Sequence, residues 1–174
     1  MRKKYILIIM KFTIILAIIV LLLNKLIGYY MPKNNTKIID LGHNILPRFP
    51  ENLNDAVTGL TFIAALFYRN VLLKGDYLKY ITIIYFFRSL TIFLTILPQP
   101  AERGKCIRSI RNNCNDFLYS GHTTLNVVTS YFIGYPMWPI WPIITSLITI
   151  GSLSHYSVDV LLSWLIFFSL KMRI

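Results

Sequence analysis

The sequence has few acidic residues, few cysteines and few histidines for its length. Its 174 residues include 7 Asp and Glu, 2 Cys and 3 His. Two cysteines, Cys106 and Cys114, exclude a disulfide framework and a CxxC metal pattern, and leave a single bridge open if their loop faces an oxidising compartment. Three histidines, with no HExxH motif and no carboxylate pair beside them, argue against a dedicated metal site. We therefore predict neither a metal nor a cofactor.

The deficit of acidic residues leaves the chain strongly basic. Lys and Arg number 18, which gives a formal net charge of +11. These residues lie in several short stretches between apolar segments rather than along one polar face, which argues against nucleic acid as the partner. The distribution instead favours the phosphate surface of a lipid bilayer.

The sequence is also poor in polar residues overall. The chain is 55% hydrophobic with a mean hydropathy of +0.57, too apolar for a soluble domain of this size. Because each spanning helix needs about 20 residues, six spans would leave only short loops and no separate soluble domain. We predict one all-α polytopic membrane domain over residues 1–174, a bundle of six transmembrane helices. The predicted spans are about 5–27, 55–73, 80–97, 121–135, 140–154 and 156–170.

The first apolar segment and the two connections that follow it in the chain have distinct sequence patterns. The first apolar segment resembles a signal peptide, but Gly28-Tyr29-Tyr30 offers no small-x-small cleavage site, so we expect an uncleaved first span. The polar stretch from Tyr29 to about Asn54 is predicted as a loop outside the hydrocarbon. The charged segment Lys74-Gly75-Asp76-Tyr77 is predicted as the turn between spans two and three.

The count of spans relates the histidines to one another. Lys and Arg are balanced between the two sides, so the positive-inside rule gives no orientation. Spans four and five form a hairpin, however, so His122 and His155 must lie on the same membrane face. The loop from Asp40 to Pro47 lies on that face as well.

His155 and Asp159 form the first candidate catalytic pair. Residues four apart share one face of a helix, so the carboxylate can reach an imidazole nitrogen and fix the tautomer of the ring. The other ring nitrogen could then attack or move a proton. A structural hydrogen bond at a helix end is the alternative, but an acidic group near hydrocarbon usually faces a polar cavity or a partner.

Ser120-Gly121-His122-Thr123 is the second candidate element. Ser120 can cap span four, and Gly121 allows close backbone approach, so amides and the positive end of the helix dipole could hold a phosphate. Simple capping is the alternative, although it does not require His122. Two histidines and an aspartate on one face supply a nucleophile, an orienting group and a general acid for displacement at phosphorus.

Arg88 and Asp116 are the remaining polar candidates. Arg88 lies in the middle of span three, where a buried guanidinium must pair. It could neutralise a lipid phosphate or form a structural ion pair with Asp159, Asp116 or Asp55. Asp116 is either a loop anchor or a site residue.

Two histidine motifs in this order are typical of one family. Cys114-Asn115-Asp116-Phe117-Leu118-Tyr119-Ser120-Gly121-His122-Thr123 and His155-Tyr156-Ser157-Val158-Asp159-Val160 resemble Cys-Gly-Asp-x-x-x-Ser-Gly-His-Thr and His-Tyr-(Ser/Thr)-x-Asp-Val. These are motifs of sphingomyelin synthases and related ceramide phosphotransferases, relatives of the type 2 phosphatidic acid phosphatases. Weaker matches upstream are Arg88-x-x-Thr91-x-x-x-Thr95-x-Leu97-Pro98-x-Pro100 and the segment from Asp40 to Pro47. The resemblance covers about residues 38–170.

The resemblance implies a multi-pass protein of the Golgi, endoplasmic reticulum or plasma membrane, with cytosolic termini and an exoplasmic or lumenal site. It implies transfer of phosphocholine or phosphoethanolamine from a glycerophospholipid to ceramide, releasing diacylglycerol. His155 would be the nucleophile, Asp159 its orienting group, and His122 the acid that protonates the leaving diacylglycerol and then the base towards ceramide. The implied substrate-binding residues are Arg88, Asp116, Ser120, Gly121 and Tyr156.

Departures from the family pattern keep alternatives open. Asn115 stands where the family has Gly, and the first motif is reduced to Ile38-Ile39-Asp40, so inositol phosphate also stays open as a head group. A lipid phosphate phosphatase is the second interpretation; such enzymes carry Lys-x6-Arg-Pro and an Arg ahead of the last histidine, which this chain lacks. A non-catalytic ceramide sensor is the third, and the intact catalytic positions argue against it.

Overall fold

The computed structural model describes residues 2–30, 38–68, 71, 74–95, 97–98, 100 and 118–172. Within residues 2–30 it describes the side chains of residues 11, 12, 14–27, 29 and 30. These parts of the chain contain seven helices and no strand, so the predicted all-α class is confirmed. The helices are α1 (Arg2–Tyr30), α2 (Leu41–Ile45), α3 (Glu51–Phe67), α4 (Gly75–Leu94), α5 (Gly121–Ile133), α6 (Ile140–Gly151) and α7 (Ser157–Lys171).

Each of the six predicted spans overlaps one helix, and α2 is the additional element. Within the described residues, only α4 is long and apolar enough to cross a membrane by length and composition. The helices α5, α6 and α7 have 13, 12 and 15 residues. At 1.5 Å per residue they are about 18–23 Å long, below the roughly 30 Å of a hydrocarbon core. The six-span bundle therefore stays a prediction.

The boundaries of α4 correct the prediction for spans two and three. The predicted turn at residues 74–77 is wrong, because α4 already begins at Gly75, with Lys74 as its N-cap. Asp76 lies in the first turn, where its charge favours the positive end of the helix dipole. The helix ends at Leu94 rather than near Leu97, and Pro98, which has no N–H, could not have continued it.

The segment predicted as one continuous loop also contains helical structure. Asp40 caps the short helix α2, because its Oδ1 accepts a hydrogen bond of 3.1 Å from the backbone N–H of His43. Helix α3 then begins at Glu51, directly after Pro50, four residues before the predicted start of the span. Proline is compatible with this position because the first N–H groups of a helix have no partner within it.

The helices bury polar side chains inside the bundle and expose apolar ones outside. Helix α5 lies centrally, in contact with α3, α4, α6 and α7, and α1 packs on α4. Inside, Asn126 of α5 accepts a hydrogen bond from Thr61 of α3 and donates one to Thr58. Large apolar side chains such as Phe93 and Leu94 are exposed on the outside. An apolar exterior of this extent marks a surface that contacts lipid or another protein.

His122 and His155 lie at one end of the bundle, as the hairpin of spans four and five predicts. The first residues of α5 and α7 meet there, where the backbone N–H of Ser120 donates to the carbonyl oxygen of Asp159 over 3.4 Å. Helix α2 contacts α6 and α7. The chain thus gathers residues from four helices around one end.

Candidate functional site

The predicted pair of His155 and Asp159 is formed at the start of α7. The imidazole Nδ1 lies 3.6 Å from the carboxylate Oδ2. The side chain of Asp159 is fully buried and that of His155 is 5% exposed. In such a poorly solvated place a carboxylate interacts strongly with an imidazolium, and the distance can shorten when substrate binds. The pair can therefore orient the ring and stabilise its positive charge.

Asp159 also has a structural role at the end of α7. Its Oδ2 accepts a hydrogen bond of 3.0 Å from the backbone N–H of Tyr156, the N-cap residue. This is the return half of a capping arrangement, in which the side chain of the third helical residue satisfies an N–H at the helix start. Asp159 can therefore serve both as a helix cap and as the partner of His155, because its Oδ2 lies close to the N–H of Tyr156 and to Nδ1 of His155.

His122 is paired with a second aspartate that the sequence analysis did not assign to the site. Its Nε2 lies 2.9 Å from Oδ1 of Asp55, which is on α3. The side chains of His122 and Asp55 are 34% and 77% exposed. This pair is open to solvent, in contrast to the buried pair of His155 and Asp159.

The two imidazole rings lie next to each other at the centre of the site, in an edge-on arrangement. The ring centroids of His122 and His155 are 6.2 Å apart, with an angle of 62° between the planes. Reacting groups in productive complexes lie about 3–3.5 Å apart, so both rings can contact one phosphate group between them. The arrangement suits a displacement in which one histidine attacks and the other handles the proton of the leaving group.

The start of α5 has the predicted cap. Ser120 is buried, and its Oγ accepts a hydrogen bond of 3.1 Å from the backbone N–H of Thr123. At Gly121 an added Cβ would lie 3.1 Å from Nε of Arg88 and 3.3 Å from its Cζ. The group that approaches Gly121 is thus the guanidinium of Arg88, and the approach of a phosphate to this glycine stays a prediction.

Arg88 reaches the site from α4. It is buried, its Nε donates to the carbonyl oxygen of Tyr119 over 3.0 Å, and its Nη1 donates to Oδ1 of Asn24 on α1. Tyr119 has a φ of 73°, a left-handed conformation that side chains rarely adopt. Arg88 therefore stabilises the turn that leads into α5 and brings a positive charge to the amino end of that helix.

Tyr156 is fully buried beside the site. Its hydroxyl donates a hydrogen bond of 3.0 Å to the carbonyl oxygen of Pro98, and its ring stacks on His43 with centroids 5.4 Å apart. These contacts connect the start of α7 with the segment that follows α4. The substrate-binding role of Tyr156 stays a prediction, as do those of Arg88, Ser120 and Gly121.

Several predicted residues lie outside the described part of the chain. These are Asp116, Cys106 and Cys114, so the site role of Asp116 and the bridge between the cysteines also stay predictions. In the residues that are described, no group of three or more His, Cys, Asp or Glu side chains could hold a metal ion.

Three polar residues near the site were missed by sequence reasoning: Asp55, Asp40 and His43. Asp55 was considered only as a partner for Arg88, and its contact with His122 joins residues 67 positions apart. Asp40 and His43 carried a signal, because the parity of the spans placed their loop on the same face as both motifs. That signal predicted the membrane face on which Asp40 and His43 lie, but it did not predict which residues they contact.

The ionisation of Asp40 is perturbed by its contacts. Partial burial by itself would raise the pKa of this carboxyl group. Hydrogen bonds from Oγ and the backbone N–H of Ser157 and from the backbone N–H of His43, together with the His43 ring, outweigh that effect and lower the pKa below its usual 3.8. Asp40 is therefore a carboxylate at neutral pH.

Comparison with known proteins addresses the family. Residues 113–172 match the family model described as PAP2 superfamily C-terminal. The match supports the type 2 phosphatidic acid phosphatase superfamily. It contains both histidine motifs and the helices α5 to α7, and no curated protein matches the chain. A relationship to the PAP2 superfamily fits a phosphatase or phosphotransferase that acts on lipid phosphates, and it points to a membrane protein of lipid metabolism.

Proposed function

We propose that the chain is a ceramide phosphotransferase, which moves phosphocholine or phosphoethanolamine from a glycerophospholipid to ceramide. The observation that carries the proposal is the pair of neighbouring imidazoles, His122 and His155, each of which lies beside an aspartate. Transfer between two lipid alcohols needs a nucleophile that holds the phosphoryl group and an acid–base group that exchanges one proton with each alcohol in turn. The two pairs match these two requirements.

In the first half of the reaction, Nε2 of His155 attacks the phosphorus of the donor lipid. A bond between nitrogen and phosphorus forms, and the bond from phosphorus to the diacylglycerol oxygen breaks. His122, as the imidazolium beside Asp55, gives its proton to the departing oxygen, so that neutral diacylglycerol leaves. Asp159 holds the ring of His155 at Nδ1 and balances the positive charge that develops on it.

The second half reverses these roles. The primary hydroxyl of ceramide approaches the phosphohistidine, and His122, now neutral, removes its proton. The oxygen attacks phosphorus, the bond between nitrogen and phosphorus breaks, and His155 regains its lone pair. The product is the phosphoceramide, and both histidines return to their starting protonation states.

Stabilisation of the phosphate charge is assigned to the start of α5 and to Arg88. The guanidinium lies next to Gly121, at the helix end where backbone N–H groups and the dipole favour an anion. The guanidinium of Arg88 donates hydrogen bonds to the carbonyl oxygen of Tyr119 and to Oδ1 of Asn24, and these bonds fix it at this position. A fixed cation at the reaction centre stabilises developing charge without reorganisation during the reaction.

The substrates and the packing support a position within the bilayer. Both donor and acceptor are lipids, so the site must open to the membrane interface. The buried polar residues and exposed apolar helix faces suit a multi-pass bundle whose outside contacts hydrocarbon. In this proposal the histidine end of the bundle lies at one interface, and the exposed aromatic and aliphatic faces of α3, α4, α6 and α7 contact lipid.

A lipid phosphate phosphatase is the second candidate, and the superfamily match favours it as much as a transferase. The first half of the reaction would be the same with a phosphomonoester donor, and water would take the place of ceramide in the second. Whether water or ceramide accepts the phosphoryl group depends on how well the site excludes water.

The test is a product analysis with the protein synthesised into liposomes. The liposomes contain ceramide, phosphatidylcholine, phosphatidylethanolamine, phosphatidylinositol and phosphatidic acid, and all lipid products are read by mass spectrometry. We expect a phosphoceramide together with an equal amount of diacylglycerol, and the mass of the product names the head group. Diacylglycerol and free phosphate without phosphoceramide would contradict the transferase in favour of the phosphatase. No product from folded protein would favour the sensor.

Two variants serve as matched controls for that experiment. His155→Ala removes the proposed nucleophile, and we expect it to insert into the liposomes and form no product. Thr82→Ala removes a buried hydroxyl of α4 whose hydrogen bond goes to the carbonyl oxygen of Leu78, one turn earlier, and we expect unchanged turnover. Product formation by His155→Ala would overturn the covalent mechanism.

A further inference from the structure

The segment around α2 holds the chain immediately after His155. Oδ2 of Asp40 accepts a hydrogen bond of 2.8 Å from the backbone N–H of Ser157, and Oδ1 accepts one of 2.8 Å from the Ser157 hydroxyl. Ser157 is the first residue of α7, whose N–H has no partner within the helix. Asp40 therefore fixes the start of α7 from a distance of 117 residues along the chain.

His43 holds the carbonyl group of His155 itself. Its Nε2 lies 2.9 Å from that oxygen, and the side chain is buried. A carbonyl oxygen can only accept, so Nε2 of His43 must carry the hydrogen. The same ring stacks on Tyr156, with an angle of 29° between the planes. His43 thus contacts the two residues that precede α7.

Two glycines let this segment approach the turn between α6 and α7. An added Cβ at Gly42 would lie 2.1 Å from Oγ of Ser157, and one at Gly151 would lie 2.6 Å from the carbonyl oxygen of Pro47. The carbonyl oxygen of Gly151 also accepts a hydrogen bond of 3.1 Å from the N–H of Phe49. The turn that carries His155 is therefore held on both sides.

We propose that Asp40 and His43, together called the α2 clamp, are positioning residues that aim the imidazole of His155. The clamp fixes the backbone position of residues 155–157, and Asp159 fixes the orientation of the His155 ring. The two together determine where Nε2 of His155 lies. Neither clamp residue makes a described contact with His122 or Asp159. The effect of the clamp on turnover rests on the proposed function. Its effect on the orientation of the His155 ring does not.

The kinetic test compares three variants of α2 in liposomes. His43→Leu removes the hydrogen bond to the His155 carbonyl and the stacking on Tyr156. Because a misplacement of 1 Å can cost about 100-fold in rate, we expect kcat to fall roughly 10–100-fold while KM changes by less than about twofold. His43→Gln places an amide N–H where Nε2 was, and we expect it to recover most of the loss. Asn44→Ala, an exposed neighbour on α2, is the matched control and should behave like the wild type.

A spectroscopic test needs no turnover. The chain has three histidines, so histidine labelled with ¹⁵N gives three pairs of ring signals. We expect His43 to carry hydrogen on Nε2, and the His155 ring signals to move in His43→Leu and stay in place in Asn44→Ala.

The outcomes separate the two proposals. Unmoved His155 signals in His43→Leu, or hydrogen found only on Nδ1 of His43, would overturn the clamp. A His43→Gln variant no better than His43→Leu in an active protein would overturn it as well. Signals that move as expected in a wild-type protein without turnover would support the clamp and contradict the proposed function.

Discussion

The two pairs of histidine and aspartate in this site differ in almost every physical respect. His155 and Asp159 are four residues apart, buried, and 3.6 Å from each other. His122 and Asp55 come from different helices, are 2.9 Å apart, and Asp55 is 77% exposed. Water screens the second pair and is excluded from the first, so the buried carboxylate influences its histidine more strongly.

The difference matches the division of labour in the proposed reaction. A nucleophile must be held in one tautomer and orientation, and burial with an orienting carboxylate provides this. An acid–base group must exchange protons with two different alcohols, and an exposed position keeps it accessible to them. Burial thus distinguishes two histidines whose sequence contexts alone are both compatible with either role.

The largest expected effect comes from removing the buried histidine. In His155→Asn, no phosphohistidine can form, and we expect turnover to fall by more than about 10,000-fold, beyond the roughly 100- to 10,000-fold that general acid–base catalysis alone supplies. Labelled donor lipid should leave an acid-labile phosphoryl group on the wild type and none on His155→Asn. A labelled His155→Asn protein would move the nucleophile to His122 and reverse the comparison.

The next effect separates the two roles of Asp159. Asn at this position can still accept the N–H of Tyr156, but it has no charge to balance an imidazolium. We therefore expect Asp159→Asn to lose about 100- to 10,000-fold in turnover while its thermal midpoint stays close to that of the wild type. Asp159→Ala should lose the same activity and, because the cap is gone, about 1 kcal/mol of stability as well. An active Asp159→Asn variant would leave only the capping role.

A smaller effect is expected for the exposed pair. Exposed ion pairs contribute about 0–1 kcal/mol, so Asp55→Asn should lower turnover by about fivefold or less. The loss should shrink as salt is added, because salt screens exposed charges. The control is Asp76→Asn, which changes an exposed aspartate in the first turn of α4, and its turnover should equal that of the wild type. A loss for Asp55→Asn as large as that for Asp159→Asn would remove the distinction between the pairs.

The smallest effect concerns stability and pH at Asp40, the aspartate that supports the buried pair. A carboxyl group whose folded pKa is lowered stabilises the fold above its unfolded pKa and loses that contribution as pH falls through the folded value. At pH 7 we expect the wild type to have a higher melting temperature than Asp40→Asn. This difference in melting temperature should disappear as the pH falls below 3.8. A gap that is constant over this range would mean that the charge of Asp40 is not what stabilises the start of α7.

Local patterns predicted the parts of the site whose partners are near in sequence. The spacing of four between His155 and Asp159 predicted their contact, and Ser120 predicted the cap of α5 that its hydrogen bond to Thr123 confirms. The cap of α5 follows from helix geometry, which fixes where residues a few positions apart must lie. The shared helix face predicted for His155 and Asp159 is wrong, because His155 lies two residues before α7 and reaches Asp159 from the turn that precedes the helix. The start of α4 was missed because its first turn is polar, and polarity was interpreted as a turn.

The sequence by itself thus determined an all-helical chain with apolar helix faces, His122 and His155 at one end, and the pairing of His155 with Asp159. Only the tertiary structure decided that Asp55 faces His122, that Arg88 lies against Gly121, and that Asp40 and His43 hold the start of α7. Those contacts join residues that are far apart in the sequence, and even the hydrogen bond from Arg88 to Tyr119, which leads to the same turn, spans 31 positions. Their geometry depends on how the helices pack, and packing is set by all side chains together rather than by any one segment.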